Sequence, residues 1–215
     1  MTTSLRLAFV LTVIAASVAA CEIEPPQPPR QPPTTVAQPA PPPPAKCERI
    51  EEKCAGQAGK RARIAGVLLT FEPAEGWLYA QGESATVVQS ANGESWLAVA
   101  GYSAGDQKDH RHETASRDAQ LEALGRELQV TLPKKKIAWK RADTVEDVGD
   151  LKVSFWELEG ATRTGNQGSL LLFSAPLTEG KALLGIAFVP KDEPTASEQI
   201  LKSIKSISSG EIAAP

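Results

Sequence analysis

The chain contains few of the residues from which catalytic and metal sites are commonly built. It has two histidines and three cysteines among 215 residues, and both histidines lie in one short stretch. No apolar run reaches the roughly 20 residues that a permanent membrane-spanning helix requires. The formal net charge is −3, and a mildly acidic chain with interspersed charges lacks the basic surface that nucleic acids require. These absences argue against a cofactor, a catalytic constellation and a nucleic-acid partner.

The N-terminus has the features of an export signal. Arg6 precedes an apolar run that ends in the small residues Val18-Ala19-Ala20, which is typical of a secretory signal peptide. Val18-Ala19-Ala20-Cys21 also resembles the lipobox of bacterial lipoproteins, in which the mature N-terminal cysteine carries acyl chains. The resemblance predicts a signal peptide at residues 1–20 and lipid attachment at Cys21. An acylated Cys21 would anchor the protein in a lipid bilayer.

Residues 21–46 have the composition of a spacer. Eleven of the 17 prolines lie between Pro25 and Pro44, and such segments prefer the extended polyproline II conformation because they cannot bury a core. We expect a disordered, lipidated tether that holds the rest of the chain away from the membrane. By resemblance to lipoproteins of bacteria with two membranes, Glu22 after the acylated cysteine indicates the outer membrane, facing the periplasm.

Cys47 and Cys54 remain as a pair once Cys21 is lipidated, and they lie in a short lead-in at residues 47–60. Exported proteins enter an oxidising compartment in which such pairs form disulfides. A regular helix would separate the two Cα atoms by about 10.5 Å, whereas bridged Cα atoms lie within about 7 Å. The sequence therefore favours a disulfide that closes a distorted turn. Free thiols and an intermolecular bridge are the alternatives.

Residues 61–209 are sufficient for one globular domain, and residues 210–215 form a tail. Apolar alternation and apolar runs predict strands, which are residues 64–71, 85–89, 95–102, 137–141, 151–160, 169–175 and 182–189. Asn92-Gly93 is a strong hairpin-turn signal between the second and third of them. We predict an α+β domain with a mostly antiparallel sheet.

Two helices are predicted to pack on this sheet. The first covers residues 114–130, where leucines recur at helical spacing. The second lies near the C-terminus and has an inward stripe of isoleucines, Ile200, Ile204 and Ile207. Thr195-Ala196-Ser197-Glu198 precedes this stripe and has the pattern of a capping box.

Three short motifs in this region resemble those of PsbP-like domains. They are Phe71-Glu72-Pro73-Ala74-Glu75-Gly76-Trp77, the apolar run Leu183–Phe188 and the helical segment Glu198–Ile204. The resemblance extends over about Ile64 to Ile207 and implies an α/β/α sandwich on a single antiparallel sheet. Known members of this family bind proteins and share no catalytic residues. The resemblance therefore implies a non-enzymatic interaction or accessory module with an envelope protein as its partner.

Gly101-Tyr102-Ser103-Ala104-Gly105 matches the G-x-S-x-G pattern of a hydrolase nucleophile elbow. Such an elbow joins a parallel strand directly to a helix and presents the serine at an oxyanion hole, with the base arriving from a later strand. Here a charged segment follows the motif, and both histidines lie in that segment. We therefore reject serine hydrolysis and assign no catalytic residue.

His110 and His112 are weak candidates for a metal site. In an extended conformation both imidazoles point to one side, and Asp106, Asp109 and Glu113 are close in sequence. No third ligand is fixed by spacing, so a solvated loop that leads into the helix is the favoured interpretation. A pH-sensitive contact is a further alternative. A periplasmic small-molecule or metal-binding protein that uses this loop is the alternative function.

The four tryptophans are expected to pack in the core. Trp77, Trp96, Trp139 and Trp156 all lie in predicted strands or strand turns. A tryptophan–arginine patch that holds a partner is the alternative, because tryptophan and arginine are enriched at interface hot spots.

Overall fold

A computed structural model describes residues 46–105, 110–134, 136–178 and 180–209, all of which belong to one compact unit, Pro43–Pro215. The predicted signal peptide, Cys21 and most of the predicted tether lie outside the described residues, as does the tail at 210–215. Within the described ranges, no helix is both long and apolar enough to cross a membrane. Lipid attachment at Cys21 stays a prediction.

Ten strands, two α-helices and a short 3-10 helix follow one another along the described chain. The 3-10 helix is Ile50–Glu52, and the α-helices are α1 (His110–Glu127) and α2 (Pro194–Lys205). The strands are β1 (Ala62–Arg63), β2 (Thr70–Phe71), β3 (Leu78–Gln81), β4 (Thr86–Gln89), β5 (Trp96–Ser103), β6 (Val130–Thr131), β7 (Thr144–Val148), β8 (Leu151–Arg163), β9 (Asn166–Pro176) and β10 (Lys181–Pro190).

Eight of these strands form one sheet in the order β3-β4-β5-β10-β9-β8-β6, with β7 beside β8. Neighbouring strands in it are antiparallel. Because β8 is 13 residues long, its outer edge accommodates β7 along one half and β6 along the other. β1 and β2 form a separate small antiparallel sheet. The prediction of an α+β domain with a mostly antiparallel sheet is confirmed.

The large sheet is buried on both faces. One hydrophobic cluster joins the sheet to α2 through Ile200 and Ile204 and also includes residues of β1 and β2. The other joins it to α1 through three leucines, Leu121, Leu124 and Leu128. Strand β10 contributes side chains to both clusters, and every residue from Ala182 to Pro190 is buried. This confirms the interpretation of its apolar run as a strand covered on both sides.

Residues 64–71 do not form the single strand that their alternation predicts. The chain reverses through Gly66, at a φ of +78°, so that β1 and β2 pair with each other across the turn. Hydrogen-bonded contact with the main sheet continues at Ala65, whose carbonyl accepts from the Gly101 N–H at 2.7 Å. The alternating apolar residues are therefore distributed between a turn and a short strand.

Two further element predictions are wrong. Residues 137–141 form no strand, and the strand that follows them is β7. The capping box is not used either, because helix α2 begins at Pro194, whose fixed φ suits the first helical position. The carboxylate of Glu193, the residue before it, accepts hydrogen bonds from Asn92 and from the Ser95 hydroxyl instead.

Cys47 and Cys54 are joined by a disulfide, with their Cα atoms 5.6 Å apart. The bridge closes around the 3-10 helix, which confirms the distorted turn and excludes the regular helix. Both ends of this loop are fastened to the outer edge of β3, where Gln81 N–H donates to the Cys47 carbonyl and Tyr79 N–H to the Cys54 carbonyl. The disulfide loop thus covers an edge strand that would otherwise offer free hydrogen-bonding groups.

Replacing both cysteines by serine is expected to lower the free energy of unfolding by about 2–3 kcal/mol, because a bridge across a loop this short removes roughly that much chain entropy from the unfolded state. Urea unfolding of the oxidised protein and of the Cys47→Ser/Cys54→Ser variant measures the difference. Reduced wild-type protein serves as the control and should match the variant. Equal midpoints for oxidised protein and variant would show that the bridge has no stabilising role.

Candidate functional site

The G-x-S-x-G segment lies at the end of strand β5. Ser103 is the last residue of that strand, is exposed, and is placed opposite Lys181 of the antiparallel strand β10. It is not among the residues with positive φ, whereas a nucleophile elbow holds its serine in a sharp, strained turn out of a parallel strand. The geometry of an elbow is therefore not present at Ser103.

Packing accounts for the two glycines of the motif. A Cβ atom on Gly101 would lie 2.1 Å from Cγ1 of Val67, so glycine is required where the loop after β1 crosses β5. Gly105 has a φ of +71°, which favours glycine. A Cβ atom there would also lie 3.0 Å from Cδ2 of His112.

The histidines lie in a helix, which corrects the prediction of a loop. Helix α1 begins at His110 rather than near residue 114, so the extended conformation that the metal hypothesis requires does not occur. His112 is exposed in the first turn, beside Gly105, and the side chain of His110 lies outside the described part. Among the side chains that the structure describes, no group of three His, Cys, Asp or Glu is placed to hold a metal ion.

A cleft of about 420 Å³ opens next to the start of α1. We call it the Arg117 cleft. Helix α1 supplies Arg117 and Glu113, and the segment before β7 supplies Trp139 and Lys140. Further lining residues come from the sheet and include Ser154 on β8, Ser174 on β9, and Lys181 at the start of β10. The α1 face of the sheet thus forms the floor of the cleft.

Arg117 is held in place from three directions. Its Nη2 donates to Glu113 Oε1 at 2.5 Å, one helical turn earlier, and its Nε donates to the Tyr102 hydroxyl at 3.2 Å. The guanidinium carbon lies 5.1 Å from the centre of the Trp139 ring. Its side chain is only 14% exposed. These contacts fix the guanidinium as a rigid wall of the cleft.

Trp139 and Trp156 are buried and pack edge to face, with ring centres 5.1 Å apart. Trp139 Nε1 donates to Asp118 Oδ1 at 2.6 Å, and Trp156 Nε1 donates to the Arg141 carbonyl at 3.1 Å. The Trp139 ring fills the gap between α1 and β8. Residues 137–141 therefore fold over the face of the sheet and do not add a strand to it. The core role predicted for these two tryptophans is confirmed, and the edge of Trp139 still reaches the cleft.

The other two tryptophans lie away from the cleft. Trp77 is buried, and its Nε1 donates to Gln199 Oε1 at 2.9 Å, which confirms its core role. Trp96 is half-buried, and the Arg163 guanidinium lies over its ring at 4.1 Å. Burial lowers the pKa of that guanidinium below its usual value. This second tryptophan–arginine pair ties the β4–β5 hairpin to β8.

Polar groups remain available on the floor and rim of the Arg117 cleft. Ser154 and Ser174 are direct cross-strand partners, and neither hydroxyl forms a hydrogen bond to any other residue that the structure describes. Lys140 and Lys181 are exposed and form no ion pair within the described ranges. With Glu113 already paired to Arg117, the described lining residues offer a ligand the cations of Lys140 and Lys181 and the hydroxyls of Ser154 and Ser174.

Sequence reasoning placed a candidate site at the histidines and missed most of the cleft beside them. Ser154 and Ser174 carried a signal, because each is a small polar residue that interrupts the buried face of an otherwise apolar strand. Arg117 carried no comparable signal in the sequence, because charged residues are common on the exposed turns of a helix. Of the residues that line the cleft, the sequence singled out Glu113 as a possible metal ligand, and Trp139 and Trp156 as members of a possible tryptophan–arginine patch.

The fold defines the class of the molecule as an α+β domain on a mostly antiparallel sheet. No protein-family model matches the chain, and no curated protein matches it either. A crystal structure from Bacteroides thetaiotaomicron is similar to it, with a TM-score of 0.45 and 11% sequence identity. The match covers 74% of this chain and 51% of that one, so the chain spans about half the length of the solved structure.

Proposed function

We propose that the chain is a lipid-anchored envelope protein whose PsbP-like domain acts as a non-enzymatic binding module. Cys21 carries the acyl chains, the Pro-rich tether spans the distance from the membrane, and the domain meets an envelope protein in the periplasm. The lipobox-like segment and the eleven prolines between Pro25 and Pro44 support the first two elements. The coverage of the sheet on both faces by α1 and α2 is what an α/β/α sandwich requires.

The Arg117 cleft supports the binding role most directly. Lys140 and Lys181 stand at its rim without ion-pair partners among the described residues, and cations in this state attract carboxylates. Below them, the Ser154 and Ser174 hydroxyls both donate and accept hydrogen bonds and therefore suit a peptide backbone. We infer that the cleft holds an acidic segment of the partner protein, with its carboxylates near the rim lysines.

The chemistry of the lining residues favours binding over catalysis. The cleft holds two serines, but no histidine is among its described lining residues. Glu113, the carboxylate among those described lining residues, is engaged by Arg117 at 2.5 Å, so it is a poor base for a serine hydroxyl. A rigid arginine–tryptophan wall, with rim cations that form no ion pair with any described residue, is the composition of an interface hot spot.

Reversing the two rim charges is expected to abolish partner binding and leave the fold intact. In the Lys140→Glu/Lys181→Glu variant, an acidic segment meets two carboxylates, so we expect at least about a tenfold lower yield of co-purified partner. The matched control is Lys152→Glu/Lys202→Glu, which reverses two exposed lysines that do not line the cleft. Tagged full-length proteins, solubilised from membranes in mild detergent, are compared by quantitative mass spectrometry. Equal partner yields from both double variants would contradict a binding role for the cleft.

A small anionic solute is the second candidate ligand. The cleft volume of about 420 Å³ lies in the range of small-molecule sites. Native mass spectrometry of the purified protein distinguishes the two candidates. A bound small molecule that is lost in Lys140→Glu/Lys181→Glu, with no protein partner in the membrane experiment, would favour the solute over the protein.

A further inference from the structure

A second and larger cleft, of about 760 Å³, lies where the described chain begins. Its lining includes Leu68, in the loop between β1 and β2, and four basic residues, Lys46, Arg49, Arg63 and Lys181, of which Lys181 also lines the Arg117 cleft. Leu68 is 91% exposed, the highest value among the large hydrophobic residues that the structure describes as exposed. We call Leu68 with these four basic residues the Leu68 surface. The surface thus combines one displayed apolar side chain with several cations.

The exposure of Leu68 is built into the loop and does not reflect loose packing. Ile64 and Leu69 on either side are buried, and the Ile64 N–H donates to the Leu69 carbonyl at 2.9 Å. The loop is also fastened to β5, where the Gly101 N–H donates to the Ala65 carbonyl and Val67 packs on the glycine. The neighbours of Leu68 are thus held by the core while Leu68 itself is presented to the outside.

The basic residues around it are not neutralised by ion pairs. None of the four forms one with another residue of the described part. Two carboxylates, Glu48 and Glu83, also line the cleft, so its described lining residues carry an excess of positive charge. Arg49 lies inside the disulfide loop, so its backbone is held against β3. The surface is therefore both cationic and preorganised.

We propose that the Leu68 surface docks the domain on a bilayer that contains anionic lipids. Leu68 enters the interfacial region, while Arg49 and Arg63 contact lipid phosphates, as in other peripheral attachments that combine an apolar residue with cations. The described chain starts at Lys46, on this same surface, and only 24 residues separate Lys46 from Cys21. The inference rests on the proposed anchoring at Cys21, since the tether would keep this surface at high effective concentration near the membrane.

The test measures vesicle binding without the acyl anchor. The mature chain from residue 21 onward, carrying Cys21→Ala, is mixed with phosphatidylcholine vesicles or with vesicles of equal parts phosphatidylcholine and phosphatidylglycerol. We expect binding to the anionic vesicles only. Leu68→Ser is expected to lower the partition coefficient on the order of tenfold, and Arg49→Gln/Arg63→Gln roughly thirtyfold. The matched controls, Val145→Ser and Lys152→Gln, change an exposed valine and an exposed lysine of another region and should bind like the parent.

A second measurement reports on Leu68 directly. In the Cys21→Ala chain, Leu68→Cys provides a reactive thiol, because Cys47 and Cys54 are bridged. An environment-sensitive fluorophore at position 68 should brighten with anionic vesicles, whereas the same fluorophore at Val145→Cys should not. Equal responses at both positions, equal binding to both kinds of vesicle, or a photocrosslinker at position 68 that captures one protein in cells would each overturn the proposal. Fatty-acid labelling tests acylation at Cys21 separately. A negative result for the lipid anchor can therefore be told apart from a negative result for docking through the Leu68 surface.

Discussion

A mature chain with alanine in place of Cys21 is expected to leave the membrane fraction completely after a high-salt wash, while the wild-type chain stays. Each buried CH₂ of an acyl chain contributes about 0.8 kcal/mol, so two or more chains hold a protein firmly. Contacts through the Leu68 surface are mainly electrostatic and are screened by salt. The wash therefore separates the two modes of attachment, and only the loss of Cys21 removes the stronger one.

The variant has to be processed at the same position for this comparison to be valid. We would replace residues 1–20 by an ordinary secretory signal and keep the chain from Glu22 onward unchanged. Radiolabelled palmitate should enter the wild-type protein and not the Cys21→Ala protein. Wild-type protein that incorporates no fatty acid, or an alanine variant that resists the salt wash, would contradict anchoring at Cys21.

Gly185→Val is expected to destabilise the domain by about 3 kcal/mol, because it forces a branched side chain into a filled core. Gly185 lies in the middle of β10, opposite Phe173 of β9. A Cβ atom on it would lie 2.0 Å from Cζ of the Phe173 ring, which is fully buried. A loss of this size lowers the melting temperature by roughly 6–12 °C in a domain of this length.

A matched glycine and a compensating variant make the comparison specific. Gly125 lies within α1, and a Cβ atom there would meet only ordinary contacts with Leu132, so Gly125→Ala should stabilise by about 0.5–1 kcal/mol. The double variant Phe173→Leu/Gly185→Val should lose less free energy of unfolding than the sum of the two single variants. The smaller leucine leaves room for the valine, and the valine fills part of the space left by the ring. Additive effects would show that the Phe173 ring is not what excludes a side chain at residue 185.

Elements with strong local signals were predictable from the sequence. The apolar run of β10, the Asn92-Gly93 turn and the disulfide between Cys47 and Cys54 were all predicted, and the structure confirms them. Each depends on a property that few residues determine: complete burial, a backbone suited to a tight turn, or a geometric limit on a bridge. The start of α1 lacked such a signal, because residues 110–113 are polar and show no apolar periodicity.

The floor of the Arg117 cleft depends on a detail that periodicity does not reveal. The turn at Thr164-Gly165 pairs Arg163 with Asn166, and an uninterrupted register would place Ser154 opposite Ala175. An irregularity between Glu159 and Ala161 shifts the register by one residue and brings Ser154 opposite Ser174. Gly160, at a φ of +82°, occupies this bulge. A single bulged residue thus brings Ser154 and Ser174 opposite each other. The alternation of apolar residues along a strand gives no means of locating such a bulge.

Photocrosslinking in living cells tests the binding role most directly. A photoreactive amino acid at position 140, on the rim of the Arg117 cleft, is compared with the same amino acid at position 145, an exposed site on β7. We predict one discrete protein adduct from position 140, its loss when Lys181→Glu is added, and none at position 145. The same adducts from both positions, or an adduct from position 140 that persists with Lys181→Glu, would contradict the proposal that this cleft binds the partner.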